Sequence, residues 1–104
     1  MHEISVVHLK DRGVRNITRI DRGTLLGNPF VVSRDGSRLE VISKYEGWLR
    51  DEMTKDGPVK EKLRTLLNKA KRGALNLGCW CAPMPCHGDV IRKILMEMDE
   101  NNEH

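Results

Sequence analysis

Aromatic side chains are scarce in this chain: one Tyr, one Phe and two Trp in 104 residues. The core must therefore be built from aliphatic residues, and the scarcity counts against a nucleic-acid module, for which no fold signature is present either. No apolar run approaches the roughly 18 residues that a membrane helix needs, so no membrane partner is expected. Met1-His2-Glu3 does not open a signal peptide. Cysteine is also sparse, with three residues, an odd number, and Cys79 and Cys81 lie too close in sequence to pair comfortably. A disulfide scaffold is thereby disfavoured and a reducing cytoplasm is the expected location. Internal repeats and low-complexity stretches are absent.

Charge is plentiful but uneven. Residues 1–72 carry 16 Lys and Arg against 10 Asp and Glu, whereas residues 73–104 carry 2 against 5. Two basic clusters stand out, Lys10 to Arg22 and Lys60 to Arg72. Such clusters attract phosphates or nucleic acid, although solvated helix and strand faces look the same in sequence. The length suits one small domain, spanning residues 1–104 with an acidic tail from about residue 97.

Periodicity predicts the order β-β-α-α-β-α. Ile4 to Leu9 reads as a β-branched strand, and Val14 to Ile20 alternates as a second. Asp21 to Phe30 holds Gly23, Gly27 and Pro29 and reads as a loop, with a brief extended piece at Phe30 to Val32. Ser37-Arg38-Leu39-Glu40 fits a capping box. The helix it opens shows an apolar stripe of Leu39, Ile42, Tyr45, Leu49 and Met53. Gly57-Pro58 breaks the chain and starts a second helix, which buries Val59, Leu63, Leu66, Leu67 and Ala70 before Gly73 ends it. Ala74 to Cys79 reads as the last strand, and Asp89 to about Glu100 as the last helix. The fold class that follows is α/β: a small Rossmann-like sandwich with a short mixed sheet and helices packed on it.

The run Gly78-Cys79-Trp80-Cys81-Ala82-Pro83-Met84-Pro85-Cys86-His87-Gly88-Asp89 concentrates the unusual chemistry. Together with Gly27-Asn28-Pro29-Phe30 and Tyr45-x-x-Trp48-Leu49, it resembles the hallmarks of DUF4326, a family of short proteins of bacteria and their phages. The resemblance covers roughly Val6 to Leu95. That family usually has Ile-Gly-Arg near the end of its second strand, where this chain has Ile20-Asp21-Arg22-Gly23. The Cys-His pair opening a helix is also similar to that of DUF488-like proteins, which have a Rossmann-like core. The resemblance implies the fold and the location of a site; it carries no reaction with it.

From the residues themselves, the first functional reading is a site for a nucleotide-like or other phosphorylated ligand. A helix start at Gly88-Asp89 would present free amides and the positive end of its dipole. Gly88 would let a ligand approach the backbone. Arg22 or Arg19 would add a bidentate phosphate contact, Asn28 a donor and acceptor for base or sugar, and Trp80 a stacking face. A second reading makes the chain an enzyme on a nucleotide. Cys86 beside His87 at a helix start would have a lowered pKa, and Asp89 could act as acid or base on a glycosidic bond. No cofactor is expected. If a metal were held, the ligands would be Cys79, Cys81, Cys86 and His87, but C-x-C-x₄-C-H is a poor zinc spacing and the deaminase signature is missing. A third class, a phage factor binding nucleic acid or a host protein, rests on the basic clusters.

Overall fold

The computed structural model describes residues 3–82 and 84–101. Three strands, β1 (Ile4–His8), β2 (Ile17–Arg19) and β3 (Leu75–Cys79), form one sheet in the order β1-β3-β2. Both neighbours of β3 run parallel to it, with Ile4 opposite Leu75 and Ile17 opposite Asn76. The sheet is thus parallel throughout and not mixed as expected, while the α/β class and the element order are those read from the sequence. Helices α1 (Arg38–Met53) and α2 (Pro58–Arg72) lie between β2 and β3, and α3 (His87–Asn101) follows β3.

Local chemistry explains these elements. Ser37 Oγ accepts the Glu40 N–H at 3.3 Å and Glu40 Oε1 accepts the Ser37 N–H at 3.0 Å, a complete capping box that fixes the start of α1. Val41, Tyr45 and Leu49 recur every four residues and are buried, whereas Leu39, expected in that stripe, is 70% exposed. Pro58 at the first turn of α2 has no N–H to leave unpaired. The buried face of α2 is Val59, Leu63, Leu66, Leu67 and Ala70, and that of α3 includes Val90, Ile91, Ile94 and Leu95. Alternate residues of β3, Leu75, Leu77 and Cys79, join these helix faces in one aliphatic core.

Three local expectations differ. The second strand begins only at Ile17, because Asn16 takes a left-handed φ of 56° that breaks the extended run from Val14. Phe30 to Val32 is not a strand: the Val31 N–H that a sheet would need is donated to Asp35 Oδ2 at 2.8 Å. The segment from Glu97 is not yet a tail, since α3 continues to Asn101 and Glu97 receives both Nη groups of Arg50 at 3.0 Å. Pro83 and the last three residues lie outside the described ones.

Candidate functional site

A cleft of about 190 Å³ opens where β2 and β3 end and where α1 and α3 begin. The β2–α1 loop supplies Asp21, Arg22, Asn28, Phe30 and Val32. Helix α1 supplies Arg38, Val41 and Ile42, and the end of β3 with its following loop supplies Cys79, Trp80, Cys81, Pro85, Cys86 and His87. Carboxyl ends of parallel strands, with helix starts beside them, are where open α/β sheets hold ligands.

The β2–α1 loop is fixed by its own polar groups. Arg22 donates to the carbonyls of Asn28 at 2.7 Å and Phe30 at 3.2 Å, and Asn28 Oδ1 accepts the Phe30 N–H at 2.8 Å. The Tyr45 hydroxyl, buried, donates to the Leu26 carbonyl at 2.6 Å and ties the same loop to α1. Gly27 permits this folding: a methyl there would sit 2.6 Å from the Asp21 carbonyl oxygen. Asp21 is buried and accepts from Arg19 Nε and Nη2 at 3.1 and 2.6 Å, and from the Trp80 indole N–H at 3.1 Å. The Arg19 guanidinium, aided by the indole, brings the Asp21 carboxyl down to about 2, so it is ionised and neutralised in place.

The other wall is set by the turn into α3. His87 is buried, and since the Ile20 carbonyl can only accept, His87 Nε2–H donates to it at 2.5 Å. Burial lowers the imidazole pKa, leaving a neutral ring held edge-on to Tyr45 at 5.1 Å between centroids. Asp89 Oδ2 reaches back to the Cys86 N–H at 3.0 Å, the N-terminal capping contact of α3. Arg38 spans the mouth, with Nη1 3.4 Å from the Pro85 carbonyl. The Cys79 and Cys86 thiols lie 3.1 Å apart, both buried, and Cys81 is half-buried. The two thiols share one hydrogen bond in which either can be the donor, so one of the pair ionises more readily and the remaining proton is held harder.

Residues 6–97 match the model of a domain of unknown function, DUF4326. The chain belongs to this family. It is also similar to an uncharacterised 12.4 kDa protein from the nrdA-td intergenic region of Enterobacteria phage T4, with 37% identity over 76 residues. That alignment covers 73% of this chain and 64% of the phage protein, so the chain spans under two-thirds of its curated relative's length. No solved structure matches.

In this DUF4326 chain Arg22, Asn28, Trp80, Cys79, Cys81, Cys86 and His87 line one cleft. Arg19 stands behind the wall as the partner of Asp21. Asp89 is not part of the wall, and Gly88 does not offer its backbone to a ligand: it is buried, with the side chains of Val6 and Ile20 against it. Helix α3 starts at His87, two residues before the expected position. Trp80 is half exposed, with Lys10 Nζ 5.8 Å from its ring centroid. Among the described residues no group of three or more Cys, His, Asp or Glu converges as metal ligands, and His87 Nε2 is already used by Ile20. Asp21 and Arg38 were missed. Asp21 was signalled by the aspartate standing where DUF4326 usually has glycine, and Arg38 by its place just after a capping serine.

Proposed function

We propose that the cleft binds a small nucleotide-like or otherwise phosphorylated ligand. One observation carries this reading: the N-termini of α1 and α3 open into the same cleft beside Arg22 and Arg38. Helix starts present amides without intrahelical acceptors and the positive end of the dipole. Arginine adds a fork of donors that matches phosphate oxygens. Asp21 would oppose an anion if it were free, but its ion pair with Arg19 cancels that charge and leaves the two cleft arginines dominant. The remaining wall is apolar, with Phe30, Val32, Val41, Ile42 and the Trp80 ring suited to a base or sugar. A volume of about 190 Å³ is below the roughly 300–1,000 Å³ of drug-sized sites, so the cleft takes a phosphate and one ring, not a whole dinucleotide.

Binding is preferred to catalysis because the expected acid–base groups are committed elsewhere. Asp89 faces the Cys86 amide, and His87 is neutral with its Nε2 proton given to Ile20. It is preferred to nucleic-acid binding because aromatics are scarce and three of the six basic residues of α2 are held in ion pairs: Lys60 with Asp56, Arg64 with Glu61 and Lys71 with Asp99.

Calorimetry with AMP, ADP, ribose phosphate and unphosphorylated adenosine tests the reading. Phosphorylated ligands should bind and adenosine should not. Arg38→Ala should weaken binding about tenfold or more, a loss of about 1.4 kcal/mol, at unchanged thermal stability. Failure of every phosphorylated ligand to bind wild type, or equal binding of adenosine, would overturn it.

A further inference from the structure

We propose that Cys79 and Cys86 form a redox-active dithiol, which closes to a disulfide by exchange with a small-molecule disulfide entering the cleft. The two sulfurs are 3.1 Å apart and need to approach by only about 1 Å to reach a bond of about 2.05 Å. Cys79 is the last residue of β3 and Cys86 immediately precedes α3. Both residues are nearly inaccessible to bulk solvent, yet both face the cleft, and the half-buried Cys81 lies on the same wall. Two cysteines acting only as small hydrophobes have no need to meet sulfur to sulfur at the wall of an opening.

The chemistry is thiol–disulfide exchange. The Cys79 thiolate attacks one sulfur of R–S–S–R, forming Cys79–S–S–R and expelling R–S⁻, which takes up a proton. Cys86 then loses its proton, attacks the Cys79 sulfur and expels the second R–S⁻, which is protonated in turn. Two cysteine thiols are oxidised by two electrons, and the oxidant leaves as two R–SH. The exchange balances equally with the two roles interchanged, since either thiol can be the donor in the hydrogen bond between them. This inference is independent of the phosphorylated-ligand reading, because it needs no ligand other than the oxidant.

The test is equilibration of the folded protein with hydroxyethyl disulfide, small and uncharged, followed by acid quench, alkylation and peptide mapping. The expected result is a mass lower by about 2 Da, reversed by dithiothreitol, with the link between Cys79 and Cys86. Cys81→Ser, which leaves both buried thiols in place, should give the same link. An unfolded chain would pair Cys81 with Cys86 at least as readily as Cys79 with Cys86, so the map also reports on native geometry. Absence of the mass loss, a link involving Cys81, or loss of the reaction in Cys81→Ser would overturn the proposal.

Discussion

Replacing Tyr45 with Phe removes one oxygen and leaves the ring, so it isolates a single buried contact. That oxygen donates at 2.6 Å to the Leu26 carbonyl and is fully buried, so no solvent is at hand to replace it. Two costs are in competition. Loss of an average hydrogen bond is worth about 1 kcal/mol, whereas a buried carbonyl left without a partner costs about 1–3 kcal/mol. The ring term stays small, since packing is retained; removing the ring as well, in Tyr45→Ala, would cost about 3–5 kcal/mol. Tyr45→Phe should therefore lose about 1–3 kcal/mol in urea unfolding with an unchanged denaturant slope, and roughly 5–20 °C in Tm. Amide exchange gives a second readout. Leu26 anchors the loop that carries Arg22 and Asn28, so the Phe30 N–H held by Asn28 should exchange faster in the variant. A loss below about 0.5 kcal/mol with Phe30 exchange unchanged would refute the claim that this hydroxyl secures the cleft wall.

Two other expectations follow from contacts around the cleft. Gly88→Ala places a methyl 2.7 Å from Val6 Cγ1 and 3.0 Å from Ile20 Cδ1, and overpacking of this kind should cost about 1–3 kcal/mol, measured by urea unfolding; a neutral or stabilising result would mean that β1 and α3 separate easily. Asp21 has a folded-state pKa depressed to about 2, so its contribution is present above the ordinary carboxylate value of about 4 and is lost as pH falls towards 2; Asp21→Asn should flatten that part of the stability–pH curve, and an unaltered curve would show that the Arg19 pair is not felt.

Where the sequence could be read and where it could not depends on how local each determinant is. The start of α1 was legible because Ser37 and Glu40 complete their box within one turn, and α2 because Gly57-Pro58 and Gly73 mark both of its ends. The α3 start was placed two residues late because Cys86-His87-Gly88 carries no helix signal of its own, whereas Asp89 sits inside the helix and reaches back to Cys86. Phe30 to Val32 looked extended because nothing in its own residues shows that Asp35 will capture the Val31 N–H. At the site, motif clustering correctly brought Arg22 and Asn28 to Cys86 and His87. Burial was the part it could not see. His87 is 7% exposed and Gly88 is buried, so both serve packing that is formed by Tyr45, Val6 and Ile20 from distant parts of the chain. Arg38 carries only a first-turn position in the sequence, and it is the meeting of α1 with the β3–α3 loop that brings it to the mouth.

The strand order β1-β3-β2 has a consequence for how the chain comes together. Among the described residues β1 and β2 are not paired with each other; each is paired with β3. During synthesis from the amino end, both early strands must wait, unpaired, until α1 and α2 have been made and residues 75–79 have emerged. Every strand–strand contact is therefore long-range in sequence, which slows folding relative to a hairpin-built sheet of equal size. The helical hairpin of α1 and α2, closed by the short turn before Pro58, can form early and locally. The cleft, lined from the ends of β2 and β3, cannot exist before those two strands are paired.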